Sequence, residues 1–411
     1  MLSTKAFIFV LRGSADIDQM TPVIWQCLEH GEHVRAVVAS DFDATSDFRL
    51  KFLSTYPNFA LRVIPGARFG SSLGQKLQRM LWNQTRMRRL LKKSNAQICI
   101  FEWGDGIWED HPRRNILWRF KRWAFTDFVL QAQYACADLA IPTVSLPHGH
   151  STKTMLIKSD RVSEALATNN DKLPFANRNS FAKYVFCSGY HRDVIVGNST
   201  MSGNNVEVWG TARFSPEWIE QLYKITPLVN LPSLRSEQKH RILMFLPKWH
   251  NLVNKTATLS LLTALGKLDN IQLVIAGHVR GADTQLTASE TAELTALPSV
   301  VFAPQGSASV SLIKASDVLI DVDASIALDA IQLGKLYVRP KYLQDASVQT
   351  IYDTLGGAVQ ASSEQEIVSL LSAEVLPTNV VSPMFTEVVI GDVASNISKQ
   401  YYLKLKALTQ Q

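Results

Sequence analysis

The sequence contains few cysteines and no long apolar run. Its 411 residues include only four cysteines, which are scattered and form no CxxC pair. They match neither a disulfide framework nor a zinc site. No stretch of 18 apolar residues occurs, so we expect no membrane-spanning helix. The N-terminal apolar run Ala6–Leu11 has the length of a strand and is too short for a signal sequence. These features favour a cytoplasmic protein.

Two common nucleotide-binding motifs are also missing. No GxxxxGK[ST] occurs, which disfavours a phosphate-binding loop of the NTPase type. The loop after the first predicted strand reads Leu11-Arg12-Gly13-Ser14-Ala15 and is not GxGxxG, which disfavours a nicotinamide dehydrogenase. His148 and His150 have the spacing of a metal-binding pair, but no third ligand lies nearby in the sequence. We therefore predict neither a bound metal nor a cofactor.

Length and periodicity predict two α/β domains. The chain is 46% hydrophobic and 19% charged, as in globular proteins, and 411 residues suit two domains of roughly 200 residues. Strand and helix patterns alternate in both halves, which is typical of parallel βα units. We predict two doubly wound, Rossmann-like domains at 1–225 and 240–411, with a cleft between them and a linker at 226–239. The last helix is a candidate to pack back on the first domain.

The elements predicted in each half are short strands separated by helices. In the first half the strands are 6–11, 33–38, 59–64, 98–101, 142–146, 183–187 and 206–208, and the helices are 17–30, 72–91 and 114–139. In the second half the strands are 242–246, 271–276, 300–303, 318–320 and 336–338, and the helices are 257–268, 309–314, 326–333, 364–371 and 394–408.

Positive charge is concentrated in the first half. Up to Lys224 there are 28 Lys and Arg against 20 Asp and Glu, and the rest of the chain has 14 against 16. Two helix-compatible clusters, 76–93 and 111–123, mix these cations with Trp, Leu and Phe. Such clusters suit an anionic membrane surface. The alternative is a solvated helix face with its apolar residues packed inward. No nucleic-acid motif accompanies the clusters, and we predict no nucleic-acid partner.

Two polar loops in the first half follow predicted strands, where α/β proteins bind ligands. His148, Gly149 and His150 follow strand 142–146. Histidine titrates near neutral pH and suits general-base work on a hydroxyl, while Gly149 lets a substrate approach the backbone. Glu102 and Asp105 follow strand 98–101, and either suits a catalytic acid or base. The alternatives are structural: a histidine bonded to a carbonyl, and carboxylates bonded to loop amides.

Similar loops supply phosphate-binding candidates. They are Arg213 in the first half, and Lys248, His278, Arg280, Asp323 and Ser325 in the second. Arginine is a strong oxyanion partner. Asp323 and Ser325 lie where strand 318–320 leads into helix 326–333, and free N–H groups at such a junction attract anions. Helix capping is the alternative for this pair.

The order of these loops resembles a known family. The segments PHGH, GTARF, FLPKW, LVIAGHVRG and SDVLIDVDAS, followed by LGK, are similar to motifs of GT-B-fold transferases of bacterial surface-polymer synthesis. The nearest group is the CDP-glycerol glycerophosphotransferase-like and capsule or lipopolysaccharide sugar transferases. The resemblance implies a GT-B fold, an acceptor-side role for His148, and donor-phosphate roles for His278, Asp323 and Ser325. It also implies that Arg213 lies near the cleft.

The motifs depart from the family pattern at several positions. His150 stands where threonine is usual, Val279 where proline is, and Ala324 where the first serine is. Ala276 and Gly277 replace Lys-Pro.

Three functions stay open on the sequence alone. The first is metal-independent transfer of a sugar or polyol phosphate from a CMP-, CDP- or UDP-linked donor to a glycan or lipid-linked acceptor. The enzyme would be peripheral to the inner membrane. The second is a UDP-sugar 2-epimerase-like enzyme, since those enzymes share the two-domain architecture. The third is a non-catalytic nucleotide-binding scaffold.

Overall fold

The computed structural model describes residues 5–39, 43–64, 84–107, 128–149, 166–277, 286–322, 324–379 and 381–410. These residues form two compact units. The first unit holds the described residues up to Gly149, those from 166 to Trp218, and those from Val388 onward. The second holds Ile219 to Glu387. The predicted limits at 1–225 and 240–411 and the predicted cleft stay predictions.

The first unit is built on a parallel sheet of seven strands. They are β1 Ala6–Leu11, β2 His33–Ala39, β3 Phe59–Ile64, β4 Ala96–Glu102, β5 Thr143–Leu146, β6 Lys183–Phe186 and β7 Val206–Val208. Their order is β3-β2-β1-β4-β5-β6-β7, and each neighbouring pair is parallel. The helices are α1 Ser14–Glu29, α2 Phe48–Leu53, α3 Gln84–Lys93, α4 Phe128–Asp138 and α5 Gly189–Gly197. A further helix, α6 Pro216–Ile225, spans the division between the units.

The core of the first unit follows from its sequence pattern. Every residue of β1 is buried, as expected for a central parallel strand covered on both faces. In α1, Ile17, Met20, Ile24 and Cys27 are buried at intervals of three and four residues. That spacing places them on one face of a helix, which is the face that packs inward.

The second unit has a parallel sheet of six strands. They are β8 His240–Phe245, β9 Ile271–Ala276, β10 Val300–Phe302, β11 Val318–Ile320, β12 Leu336–Pro340 and β13 Val359–Ala361, in the order β10-β9-β8-β11-β12-β13. The helices that follow α6 are α7 Lys255–Gly266, α8 Ala288–Thr295, α9 Ser309–Lys314, α10 Ile326–Gln332, α11 Ile351–Leu355, α12 Glu364–Ser372, α13 Pro383–Val389 and α14 Ile397–Leu408. Residues of β8, β9, β11, β12, α7 and α12 form one continuous apolar core.

The C-terminal helix α14 belongs to the first unit. Tyr402 stacks on His30 just after α1, with ring centroids 4.4 Å apart. Lys406 Nζ lies 2.6 Å from a Glu32 carboxylate oxygen. Tyr401 donates a hydrogen bond to the Gly210 carbonyl at 2.7 Å. Helix α14 thus packs against α1 and the segment around Gly210.

The predicted fold class is confirmed, with two doubly wound parallel sheets. Every predicted strand has a counterpart, and only β13 was missed, a three-residue strand that is only partly buried. Helix 17–30 begins earlier than predicted, at Ser14. The predicted helix 72–91 corresponds to α3, described from Gln84 to Lys93, and the predicted helix 114–139 corresponds to α4, described from Phe128 to Asp138. Residues 65–83 and 108–127 lie outside the described part. Helices α2, α5, α6, α8, α11 and α13 were not predicted, and most are short.

Candidate functional site

The first sheet reverses its strand order between β1 and β4. The chain adds β2 and β3 on one side of β1 and then crosses to place β4 on the other. Ligands of open α/β sheets bind at such a point, beyond the carboxyl ends of the strands. Arg12 follows β1, Glu102 is the last residue of β4, and His148 lies two residues after β5. The topology therefore brings three charged or titratable side chains to one crevice.

Arg12 joins two carboxylates in this crevice. Its backbone N–H donates to Asp16 Oδ2 at 2.8 Å, and its Nε donates to the same oxygen at 3.0 Å. Its Nη2 donates to the Glu102 carbonyl at 2.8 Å and also to the Glu102 carboxylate. Asp16 is in the first turn of α1 and is 4% exposed, and the Glu102 side chain is fully buried. One guanidinium therefore orients both buried acids.

His148 completes the cluster. Its Nδ1 is hydrogen-bonded to Glu102 Oε1, and its side chain is half-exposed. With Nδ1 held by Glu102, Nε2 is the ring nitrogen left to meet a ligand. A carboxylate on one nitrogen of an imidazole fixes the tautomer and stabilises the imidazolium, which is the arrangement of a general base.

The three titratable groups have shifted pKa values. Burial raises the pKa of Asp16 and nearby Glu102 raises it further, to about 6, although Arg12 opposes both. Burial would also raise the pKa of Glu102, but hydrogen bonding to His148 and the charges of His148 and Arg12 outweigh it and lower that pKa. Burial would lower the pKa of His148, but the hydrogen bond and charge of Glu102 raise it. Glu102 therefore ionises at lower pH than Asp16, which keeps its proton up to about pH 6.

The backbone after β4 is held in a tight turn. Trp103 has a φ of 43°, and its N–H donates to the Leu146 carbonyl at 2.9 Å. Its ring stacks on His191 with centroids 5.6 Å apart, and the guanidinium carbon of Arg178 lies 4.5 Å from its centroid. The Gly104 N–H donates to Ser145 Oγ at 2.9 Å. These contacts fix the loop that follows Glu102.

Asp105 lies in the same loop but apart from the cluster. Its side chain is 83% exposed, and its nearest recorded cation is Arg178, with Nη2 3.9 Å from Oδ1. The structure thus brings together Glu102 and His148 and does not add Asp105 to them. Whether Asp105 acts in catalysis stays a prediction.

The loop of His148 is described up to Gly149. Gly149 has a φ of 137°, and a Cβ there would meet no atom of the described residues within 4 Å. Its carbonyl accepts a hydrogen bond from Cys187 Sγ at 3.4 Å. His150 lies outside the described residues. Open space beside Gly149 is what the predicted substrate approach requires.

Arg213 lies in a buried ion network. It is 2% exposed, in a short 3-10 helix at Ala212–Phe214, and its Nε is 2.7 Å from Asp18 Oδ2. Arg49 Nη1 donates to the other Asp18 oxygen at 2.6 Å. This burial gives Arg213 a structural role in holding α1. Its predicted contact with a donor stays a prediction.

The second sheet reverses its order between β8 and β11, which pair in parallel. Lys248 follows β8 and Ser325 follows β11, so both lie beyond the carboxyl edge at the switch point of this sheet. Ser325 is exposed and makes no side-chain capping bond to α10. Asp321, 3% exposed, accepts from the Ala324 N–H at 2.6 Å and shapes the turn. His278, Arg280 and Asp323 lie outside the described residues.

Sequence reasoning missed Arg12 and Asp16. The loop after β1 was tested only against the GxGxxG pattern, which it lacks. The signal available was a cation and an acid four residues apart, directly after a buried strand. Only the strand order places that loop beside Glu102, so the sequence alone did not connect them.

The described ranges lack two further features. No group of three or more His, Cys, Asp or Glu side chains there has the arrangement of a metal site. No helix there has both the length and the apolar character needed to cross a membrane.

Comparison with known proteins yields structural matches only. No family model matches the sequence, and no curated protein matches it. UDP-GlcNAc 2-epimerase from Methanocaldococcus jannaschii matches with a TM-score of 0.59 and 10% identity, over 99% of this chain and 100% of that one. UDP-GlcNAc 2-epimerase from Neisseria meningitidis, bound to UDP-GlcNAc, matches with a TM-score of 0.53 and 13% identity, over 98% and 99%. CalG4, the calicheamicin glycosyltransferase, matches with a TM-score of 0.53 and 11% identity, over 100% and 99%.

At these identities the matches establish the fold. The chain has the two-domain α/β architecture of the GT-B type, as predicted. The closer likeness to CDP-glycerol glycerophosphotransferase-like proteins rests on the sequence motifs alone.

Proposed function

We propose that this protein is an enzyme that acts on a nucleotide-activated sugar, with His148 and Glu102 moving a proton. The observation that carries the proposal is the hydrogen-bonded His148–Glu102 pair at the switch point of the first sheet. A buried carboxylate behind a half-exposed imidazole is the arrangement of a general base. Solved structures with the same fold include enzymes of nucleotide-sugar chemistry, which supports the choice of substrate class.

The proton step follows from the geometry of the pair. Neutral His148 accepts a proton at Nε2, and Glu102 stabilises the imidazolium through Nδ1–H. Positioned proton transfer of this kind contributes about 10²- to 10⁴-fold in rate. Because Glu102 raises the pKa of His148, the base form is populated only above that raised value. Turnover should therefore rise with pH through the pKa of His148.

The donor would bind in the second unit. Lys248 and Ser325 follow neighbouring strands of its sheet, where an ammonium and a hydroxyl can meet phosphate oxygens. His278, Arg280 and Asp323 are proposed to join them. In this arrangement side chains rather than a metal would neutralise the leaving group.

Epimerisation at C2 of a UDP-sugar is the first candidate reaction. Inversion at a carbon requires a proton to be removed and returned, and the His148–Glu102 pair can accept a proton and give it back. Several of the structures that share this fold are of UDP-GlcNAc 2-epimerases, which favours this reaction over transfer.

Transfer of the sugar or polyol phosphate to a glycan or lipid-linked acceptor is the second candidate. A transferase needs one base for the acceptor hydroxyl, and the half-exposed His148 meets that need. The order of the PHGH, GTARF and SDVLIDVDAS motifs favours it, as does the shared fold of a glycosyltransferase. A surface polysaccharide is the proposed acceptor, and the exposed cations of α3 are proposed to hold the enzyme at an anionic membrane.

One experiment separates these reactions. The protein is incubated in D2O with UDP-GlcNAc alone, and proton NMR follows the sugar. Epimerisation breaks and re-forms the C2–H bond, so the product carries deuterium at C2 and appears without an acceptor. A transferase leaves the sugar unchanged until an acceptor is added.

The role of His148 is tested in the same assay. H148A should lose at least about 100-fold in turnover because the base is gone. H33A, which removes an exposed histidine of β2, is the matched control and should keep full activity. Equal turnover in H148A and H33A would remove His148 from the mechanism. Nucleotide binding without turnover on any substrate would favour the scaffold function.

A further inference from the structure

The cluster contains one acid that the proposed proton step does not use. Asp16 is 4% exposed and shares Arg12 with Glu102, the residue that holds His148. In its protonated form it is within hydrogen-bonding reach of the Glu102 carboxylate. A buried acid that is separated from a base by a single side chain, here Glu102, can change the electrostatic field at that base.

The distribution of charge in the cluster depends on where Asp16 and its neighbours hold their protons. With Arg12 charged and Glu102 ionised, one additional proton leaves the cluster of Arg12, Asp16, Glu102 and His148 neutral. That proton can sit on His148, with Asp16 ionised, or on Asp16, with His148 neutral. The two forms differ only in where the proton is, so the two groups titrate as a coupled pair.

We propose that Asp16 is a positioning residue that sets the charge on the Glu102–His148 pair. When neutral it donates its hydroxyl to Glu102, and when ionised it adds a second negative charge beside His148. The inference rests on the proposed role of His148 as the proton acceptor. It adds a third member, Asp16, which acts through Glu102 without touching substrate.

The charged surroundings of Asp16 support this role. The groups that face it are Arg12 from the loop after β1, Glu102 from β4 and His148 from the loop after β5. The cations that α2 and the 3-10 helix bring to α1 are Arg49 and Arg213. Both bind the carboxylate of Asp18. Those of α14 lie after the far end of α1, where Lys406 binds Glu32. Among the described residues, Glu102 and His148 are therefore the titrating groups beside Asp16.

The pH behaviour agrees with the geometry. Burial and Glu102 raise the pKa of Asp16 to about 6 from an ordinary 3.8. Ionised Asp16 in turn raises the pKa of His148. As pH rises through the Asp16 transition, His148 therefore becomes a stronger base.

The test uses NMR titration of the full chain without substrate. Side-chain 13C resonances of aspartate and 15N resonances of histidine are assigned in the wild-type protein and followed from pH 4 to 9. We expect Asp16 to titrate near pH 6, with a matching inflection in the His148 resonances. In D16N the inflection near pH 6 that reports Asp16 should vanish from the His148 resonances, and the pKa of His148 itself should fall.

The control is E29Q, which removes an exposed acid from the other end of the same helix. It should leave the His148 titration unchanged. An Asp16 midpoint near its ordinary 3.8, or identical His148 titrations in wild type and D16N, would overturn the proposal. The wild-type measurement decides the matter even where D16N folds poorly.

A kinetic readout links the inference to activity. In D16N the rise of turnover with pH should move to lower pH, and the plateau should drop because the base is weaker. The NMR titrations need no substrate, so absence of turnover on nucleotide sugars would refute the proposed function and leave the Asp16 coupling intact. Unchanged titrations in an active enzyme would refute only the role of Asp16.

Discussion

At the scale of single residues, Arg12 stabilises the buried charge of the candidate site. Glu102 is fully buried, and an unpaired carboxylate in that position would cost several kcal/mol, on the order of the whole stability of many domains. Arg12 and His148 both contact its carboxylate, which lowers its pKa and keeps it ionised. Asp16 does not obtain the same compensation, because it shares Arg12 and lies beside a second negative charge.

Asp16 should therefore make stability depend on pH. Its folded pKa of about 6 lies above the ordinary 3.8, so the folded state binds the proton more tightly. Between these values the wild-type protein loses stability as pH rises, and above about 6 the full cost is present. Asparagine mimics the neutral acid and escapes this cost. Relative to wild type, D16N should gain about 2–3 kcal/mol between pH 4 and pH 7.

Urea unfolding at several pH values measures this difference. The quantity to compare is the free energy of unfolding of D16N minus that of wild type, which cancels most other titrations. A difference that stays flat from pH 4 to pH 7 would mean that Asp16 is ionised throughout.

At the scale of elements, the turn after β4 decides where Glu102 points. Gly104 packs against Phe181, and a Cβ on Gly104 would lie 2.4 Å from Phe181 Cζ. G104A must therefore push a buried ring or shift the loop, at a cost of about 1–3 kcal/mol. The free energy of unfolding from chemical denaturation should fall by that amount.

Gly13 provides the matched control for this substitution. Its φ of 172° is extended backbone, and a Cβ there would meet no atom within 4 Å. G13A should therefore change the free energy of unfolding by less than about 0.5 kcal/mol. Equal effects of G104A and G13A would show that the turn has room for a side chain.

Helix α3 carries a row of exposed cations. Arg86, Arg89, Lys92 and Lys93 are exposed at intervals that place them on neighbouring turns, while Met87 and Leu91 are buried. The apolar residues therefore face inward, as in the structural interpretation of this cluster, and these four cations are exposed. Residues 76–83 of the predicted cluster 76–93, and the whole of the predicted cluster 111–123, lie outside the described residues.

Vesicle binding tests this row. Each cation near an anionic surface contributes about 1 kcal/mol, so R89Q/K93Q should weaken binding to phosphatidylserine-containing vesicles about 30-fold. K267Q/K399Q removes the same charge from two other exposed lysines and is expected to bind as wild type does. Co-sedimentation measures both. Equal loss in the two variants would point to net charge rather than to α3.

At the scale of the whole molecule, the proposed function predicts that a nucleotide stabilises the protein. A ligand that binds only the folded state raises the free energy of unfolding by mass action, by about 2.7 kcal/mol at 100 times its Kd. The melting temperature rises with it. We expect a shift with one member of the panel CMP, CDP, UDP, GDP and TDP. UDP would favour epimerisation or hexose transfer, and CMP or CDP would favour transfer of other groups.

Site variants make this measurement specific. S325A and K248A should reduce the nucleotide shift, because both residues follow strands at the switch point of the second sheet. H148A, in the first unit, should retain it. No shift with any nucleotide would count against Lys248 and Ser325 as a phosphate site.

The sequence by itself determined most of the elements and the fold class. Parallel strands buried on both faces are continuous apolar runs such as AFIFVL, and amphipathic helices repeat at three and four residues, so both patterns are local and readable. Glu102, His148, Lys248 and Ser325 were predicted as site residues because each follows a predicted strand. Short elements such as β13 and α2 escaped because few residues carry their pattern.

Only the tertiary structure decided which of these residues meet. Strand order placed the loop after β1 beside β4, which made Arg12 and Asp16 partners of Glu102 and left Asp105 in solvent. It also buried Arg213 against Asp18 and returned α14 to the first unit. Such contacts join residues far apart in the chain, 90 positions for Arg12 and Glu102. Their formation depends on long-range packing, which no local pattern in the sequence records.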